Sequence, residues 1–538
     1  MPVQTTYPGV YIQEVPSGSH AIAGVSTSVT AFVGAARMGP AGVPVAIQSM
    51  AEYVRNFGPP WDAAHPMGHA VSHFFANGGS QAIIVRVSAQ GAATATATLT
   101  GGPLTLTALG PGSWATRSAA PGTAGLEASV EANAANGSLF NLTLTLRAPD
   151  PRTGAVGVVA QESYPNLSLD PSSPRYAYNT LVGSFLIAKP DPPAMGSPPG
   201  SPPSMPGSPP AAPVPTPGVV GFAGGLDGAD GTANAGAVGA ADVIPLDTTK
   251  GGIYALGVLL FPRFNLLCLP DVPATATSSS FLTTALGFCA LQRAFLIVDT
   301  PPSPPGATLD LTTISGLASE HGAVYYPRVV QLDPGPGGLV RQLDLPPCGA
   351  VAGVMARTDA ARGLWKAPAG LDSGIAGISG LTKMTDDALS GKLNPRGVNV
   401  LRTFPGAGTV VWGARTLKGD DTQTSDFKYI PVRRMTDYIA GALYLGTGFA
   451  VFEPNDPTLW GQLRLAVGSF MRGLFRQGAF QQNAAATESD SFFVVCDETV
   501  NPQSEIDLGR VNVVVGFAPL KPAEFVIITI TQISQTGG

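Results

Sequence analysis

A multidomain protein mixing α/β and α+β order is predicted from three observations. Strand-like and helix-like segments alternate over residues 24–90 and again over 224–330. Between them, residues 91–187 carry runs in which apolar residues alternate with threonine. Both ends of the chain are strand-like, with little sequence beside them in which to bury a strand.

Taken in order, residues 9–15 (GVYIQEV) alternate like a strand between Pro8 and Pro16, so they must add to a sheet elsewhere. Residues 26–33 and 82–87 read as strands. Residues 48–57 place Met50, Tyr53, Val54 and Phe57 on one helical face. A second helix over 69–76 stops at Asn77-Gly78-Gly79. Residues 94–100, 104–109 and 139–148 predict half-exposed strands of an inserted, mostly antiparallel β-domain.

Residues 190–217 hold 13 of the 51 prolines, which prevents both helix and sheet ladder and predicts an exposed loop of polyproline character. Strands at 264–269, 295–299 and 323–327 alternate with helices near 280–293 and 310–320, as in a parallel sheet covered on both faces. Residues 457–477 form the clearest helix. Trp460, Leu463, Val467, Phe470, Met471 and Leu474 make one stripe, with Arg464, Arg472 and Arg476 off it. Two strand-like runs, 511–520 and 524–534, end the chain.

Composition narrows the function. Only 12% of the 538 residues are charged, about half the usual share, while 44% are hydrophobic. No apolar run reaches the roughly 18 residues that a membrane span needs, and the first residues lack a basic-then-apolar leader pattern. Burial by partner chains is the reading that remains, and the missing leader predicts assembly in the cytoplasm with no direct membrane insertion. Net charge −6 argues against nucleic acid as the main partner. Cys268, Cys289, Cys348 and Cys496 are scattered and form no CxxC pair, so buried free thiols are expected.

The candidate chemical sites are weak. His65, His69 and His73 recur at four-residue spacing, but Pro66 and Gly68 interrupt them and no acid or thiol completes a metal set. Asp271 and Asp299 end predicted parallel strands, where enzymes of this class build sites, yet turn and cap chemistry explains them equally well. The glycine-rich run 224–231 lacks the register of a cation loop. Arg357, Asp359, Arg362, Trp365 and Lys366 cluster near one another in sequence, as a ligand pocket or a core tether would. No cofactor, metal or catalytic residue is expected.

Several long blocks resemble, in order, a known family. They are PGVYIQEVPSG at 8–18, GVSTSVTAFVG at 24–34 and HFFANGGSQAIIVRV at 73–87. Then come PPCGAVAGVMARTDAARGLWKAP at 346–368, NPRGVNVLRTFPGAGTVVWGART at 394–416, VFEPNDPTLW at 451–460, CDETVNP at 496–502 and APLKPAEFVI at 518–527. The family is that of the tail sheath proteins of contractile phage tails and phage-like injection systems.

The resemblance implies a structural subunit, not an enzyme. Copies form a helical cylinder around an inner tube and contract from a metastable extended state. The expected partners are other copies, the tube protein, and baseplate and tail terminator or cap proteins. It implies an N-terminal arm at 1–20 and a tube-proximal α/β sheath core from 21–90 with 346–538. The β-rich insertion at 91–187, the Pro/Gly/Ser-rich loop at 188–223 and an α/β middle domain at 224–345 follow, with a C-terminal strand arm at 521–538. Inter-subunit strand exchange is expected through Val10, Tyr11, Ile12, Glu14 and Val15, and through Phe525, Val526, Ile527, Ile528 and Ile530. Arg464, Arg472 and Arg476 are candidates for tube contact, against a solvated face of their own domain. A capsid or decoration protein would share the low charge, and an α/β enzyme would use 250–330.

Overall fold

The computed structural model describes the chain except residues 1–20, 61, 101–103, 118–122, 151–152, 193–213, 228–237, 246–250, 260–262, 303–308, 310, 335–339, 423, 483–487, 526 and 528–538. It divides into two compact units. The sheet unit comprises residues 28–361 and 368–430; the C-terminal unit comprises 1–27, 362–367 and 431–538.

The sheet unit opens with β1 (Thr30–Gly34), β2 (Val45–Ile47), α1 (Met50–Phe57), α2 (Met67–Ala76) and β3 (Ala82–Arg86). Ser49 caps α1 by accepting from the Glu52 N–H, which satisfies a donor with no partner within the helix. The chain then leaves for the inserted domain. There β4 (Thr96–Thr98) and β5 (Thr105–Thr107) form a hairpin, and β6 (Gly125–Ala132), β7 (Phe140–Pro149) and β8 (Val156–Leu167) form a meander. After α3 (Ala177–Thr180), β9 (Gly218–Gly221) completes an antiparallel sheet of order β8-β7-β6-β9. Leu126, Ala128 and Val130 of β6 and Leu142, Leu144 and Leu146 of β7 face one core, as alternation requires.

The chain returns through α4 (Ala240–Val243) to β10 (Leu266–Cys268), α5 (Ser279–Gln292), β11 (Phe295–Asp299), α6 (Leu311–Ser315) and β12 (Gly322–Tyr326). Next come the hairpin β13 (Val329–Pro334) and β14 (Val340–Leu345), α7 (Cys348–Arg362), β15 (Gly380–Leu381) and α8 (Asp387–Leu393). The unit closes with β16 (Val398–Phe404) and β17 (Gly408–Trp412).

Eight strands make the main sheet, in the order β17-β16-β12-β11-β10-β1-β3-β2. The inner six run parallel and the two edge strands are antiparallel. Alternate residues feed opposite cores. Ala31, Val33, Leu296 and Val298 pack under α5, while Phe32, Phe295 and Ile297 pack under α1, α2 and α7. Both faces are covered, which is why these strands read as unbroken apolar runs.

The C-terminal unit holds α9 (Ile430–Gly446), counted with it from Pro431, then α10 (Pro457–Arg476) and α11 (Glu488–Ser491). The last elements are β18 (Phe492–Val495), α12 (Gln503–Asp507) and β19 (Val514–Phe517). Asp456 caps α10 on the Leu459 N–H, and Pro457 occupies its first turn.

This division differs from the sequence expectation at three places. The segment 224–345 does not stand apart, because β10, β11 and β12 are the middle strands of the main sheet, with β1 on one side and β16 on the other. Parallel pairing joins segments far apart in sequence, so local patterning cannot say which strands share a sheet. Among the described residues, those of 431–527 form their own core with Ile22, Leu364 and Trp365, and β9 returns to the inserted domain from within the stretch expected to be a loop.

Candidate assembly interface

A doubly covered parallel sheet has one natural ligand crevice, at the carboxyl ends of the strands where the chain reverses its direction of growth. Here that point lies between β1 and β10, since the chain builds outward from β1 to β3 and then returns to its other side. The crevice is filled. Asp271, just past β10, accepts a 3.1 Å hydrogen bond from the Ala35 N–H. A Cβ on Gly34 would lie 1.9 Å from Asp271 Oδ2, so only glycine admits this carboxylate. Beside it remains a cavity of about 10 Å³ between Ala35, Arg86, Gly112 and Asp227, no more than one water could fill.

Asp299, one strand over, turns inward as well. Its Oδ1 accepts from the Cys348 N–H at 2.9 Å, the first residue of α7. Desolvation raises both carboxyls to about 7, and the hydrogen bonds each accepts only partly offset it. These side chains cap the sheet; they do not converge on a shared space. Arg86, buried at the end of β3, donates to Ala36 O at 3.0 Å, Gly39 O at 2.8 Å and Pro111 O at 2.7 Å. Asp227 meanwhile accepts from the Ser113 N–H at 2.8 Å. Together they fasten the stems of the inserted domain to the main sheet, a role the glycine-rich run did not reveal.

The histidines are packed too. His69 and His73 are buried, and His73 Nε2 lies 3.0 Å from Gln331 Oε1. Desolvation lowers both, His73 to about 4, so they are neutral. Among the described residues no three His, Cys, Asp or Glu side chains are arranged to hold a metal. The four cysteines are buried and free. Of the polar cluster at 357–366, Arg357 donates to Asn77 O at 3.2 Å and Gly374 O at 2.6 Å, tying loops within the sheet unit.

The C-terminal unit is built differently. β18 and β19 pair antiparallel from Phe492↔Phe517 to Val495↔Val514, and among the described residues they take no third strand. Two strands alone are marginal in water, and among the described residues neither outer edge is paired with another strand. α10 supports the pair from one side. Its Val467, Met471 and Leu474 pack with Met435, Ile439, Phe480 and Phe492. Leu459, Trp460 and Leu463 enclose Cys496.

The roots of both termini lie in this unit. On the N-terminal side, Thr27 O accepts from Arg434 Nη2 at 3.0 Å, and Ile22 packs on the core around α9. On the C-terminal side, the Ala518 N–H donates to Ser491 O at 2.9 Å, directly beyond β19. Of the predicted strand-exchange residues, Val10, Tyr11, Ile12, Glu14, Val15, Val526, Ile528 and Ile530 lie outside the described residues. Phe525 and Ile527 are described; they belong to no strand and are 74% and 89% exposed. The α10 arginines are all exposed. Arg464 donates to Cys496 O at 3.0 Å, and Arg472 pairs with Glu488 at 2.7 Å.

Comparison with known proteins matches this architecture. Residues 259–417 match the phage tail sheath protein central domain and residues 422–533 the phage tail sheath C-terminal domain, together a little over half of the chain. The chain belongs to the phage tail sheath family. A tail sheath protein of Vibrio phage KVP40 is 28% identical over 191 residues, 35% of this chain and 27% of that protein. A putative prophage major tail sheath protein of Pseudomonas aeruginosa is 26% identical over 258 residues, 47% of this chain and 61% of that protein. The matches thus span less than two thirds of either curated relative.

Solved sheath structures share the fold over nearly the full length. The helical sheath of the anti-feeding prophage in its contracted state aligns with a TM-score of 0.54 at 22% identity, covering 98% of this chain and 99% of that one. The sheath tail protein of Listeria innocua aligns with a TM-score of 0.55 at 14% identity, covering 93% and 96%.

Proposed function

We propose that this chain is the structural subunit of a contractile sheath. Copies polymerise into a helical cylinder around an inner tube, attach to a baseplate at one end and a terminator at the other, and contract from a metastable extended lattice. The observation that carries the reading is the unfinished sheet of the C-terminal unit. Among the described residues, two strands without a third stand in the unit from which both strand-like termini issue. The arms at 1–20 and 521–538 complete such sheets in neighbouring copies, where main-chain hydrogen bonds hold subunits together while the rest of each subunit pivots.

The filled switch-point crevice supports a structural role without catalysis, and no cofactor is invoked. Energy for contraction is stored when the lattice assembles. Among the described residues no helix is long and apolar enough to cross a membrane. No particular residue is assigned to the tube, because Arg464 and Arg472 make polar contacts within their own unit.

The test is expression of the chain alone and with its tube protein, viewed by negative-stain electron microscopy. Hollow cylinders of uniform width are expected. Deletion of residues 1–20 should abolish cylinders while leaving the thermal midpoint of the subunit unchanged. Discrete small oligomers from the intact chain under both conditions would overturn the reading.

A further inference from the structure

We infer that Phe452, with its neighbour Val451, is an apolar anchor by which one copy of this chain grips a second, seated against the Arg472–Arg476 end of that copy's α10. The inference rests on the sheath reading and names one contact within it.

Phe452 is the most exposed large apolar side chain described, at 102%, and Val451 beside it is 64% exposed. Its backbone is also left-handed, with φ +70°, a conformation that bulky side chains rarely adopt. An isolated subunit gains nothing from either feature. The loop is nonetheless firmly held. Ala450 N–H donates to Thr447 O at 3.0 Å, and Glu453 N–H donates to Ala450 O at 3.3 Å. Phe449, three residues earlier, packs inward on Trp460 and Leu463, so the same short loop sends one phenylalanine in and one out. Asn455 bridges the base, accepting from Trp460 Nε1 and donating to Arg510 O, both at 2.8 Å. The second tie brings up the loop that carries Leu508, itself 63% exposed. A rigid, outward aromatic costs little ordering entropy on binding, which is the character of an interface anchor.

Charge indicates the occupant. Exposed Glu453 follows Phe452. α10 begins four residues later and runs 20 residues, about 30 Å. Its far end carries exposed Arg472 and Arg476. The Arg472–Glu488 pair is itself exposed on both sides, so it holds that charge only weakly. One element therefore presents an apolar, acidic end and a basic end. Such ends suit each other head to tail across copies. A contact of that kind repeats without closing, as a helical array requires.

The test uses the full-length chain, with assembly read by sedimentation and electron microscopy and folding by thermal unfolding. Phe452→Gly removes the anchor and accommodates the left-handed backbone. Its thermal midpoint should be unchanged or higher, while the assembled fraction falls by about tenfold or more. Glu453→Arg and Arg476→Glu should each weaken assembly, and the double variant should restore it. Assembly of Phe452→Gly at the wild-type level overturns the inference, as does a double variant no better than the single ones. Failure of the wild-type chain to form cylinders, alone or with tube protein, would instead overturn the sheath reading itself.

Discussion

The sheet unit and the C-terminal unit solve the same problem in opposite ways. The main sheet is largely covered: helices pack on both faces, residues 370–375 hydrogen-bond along its β17 edge, and Asp271 and Gly34 fill the crevice where a ligand would sit. The two-stranded sheet of the C-terminal unit takes no third strand among the described residues, and its unit exposes apolar side chains, Phe493 and Val514 on the sheet itself and Phe452, Phe525 and Ile527 elsewhere. The first is a frame that needs nothing from outside. The second is stable as a fold but incomplete as a surface, and that is where a polymer would be joined.

The largest effect expected is in the frame. α7 crosses α2 so closely that a Cβ on Gly349 would lie 1.9 Å from Ala70 O, and one on Gly353 would lie 2.6 Å from Phe74 O. Gly349→Val should cost about 4 kcal/mol or more, since backbone cannot yield as a side-chain tip can. Urea unfolding would measure it. A loss under about 1 kcal/mol would show that the helices can separate.

This helix also shows where sequence reasoning stopped. The strands and helices at 264–327 were legible because β-branched and aromatic runs alternate with longer segments, and α10 was legible because its apolar stripe has helical period. α7 was not predicted: Cys348 to Ala356 are all buried, so no polar face marks a period, and its glycines look like loop residues. β6 was missed although Leu126, Ala128 and Val130 alternate with Glu127, Ser129 and Glu131, because glycine, alanine, serine and glutamate carry little strand preference of their own. The inward turn of Asp271 and Asp299 was invisible for another reason. A carboxylate at a strand end reads the same whether it faces a ligand or the backbone of the next loop. The open sheet of the C-terminal unit is a tertiary fact that strand patterns alone do not contain.

Next in size is the fastening between the main sheet and the inserted domain. Arg86→Ala leaves two buried carbonyls and a half-buried one without their donor and should cost about 3 kcal/mol. Limited proteolysis should then cut first near residues 87–112. An unchanged digestion pattern would show that the inserted domain is held by its own packing.

The buried titratable groups give a signed prediction of about 3 kcal/mol at most. Asp299 stands at about 7 in the fold, against roughly 3.9 when unfolded. Between these values the folded state keeps a proton that the unfolded state has lost, so its contribution falls as pH rises through the window. His73 stands at about 4, against roughly 6.5 unfolded, and its contribution falls as pH drops from 6.5 to 4. The two slopes oppose each other. Asp299→Asn removes the first, so its stability relative to wild type should improve from pH 4.5 to pH 7.5. Parallel wild-type and variant profiles would mean that Asp299 titrates normally.

The smallest effect on the subunit should accompany a large effect on assembly, and it lies in the open sheet. Phe493 is 51% exposed on β18, and its ring covers Gly516 of β19, where an added Cβ would meet it at 2.2 Å. Cross-strand cover of a glycine is worth about 0.5–1 kcal/mol, so Phe493→Ser should lower subunit stability by no more than that. If this sheet is the joint, the same change should reduce cylinder formation far more than so small a loss of folding could explain. The contrast with Arg86→Ala is then direct. The frame variant should lose stability first, with assembly failing only as folding fails. The joint variant should lose assembly while the subunit remains folded. Equal losses of assembly at equal losses of stability would show that the open sheet has no special part in joining subunits.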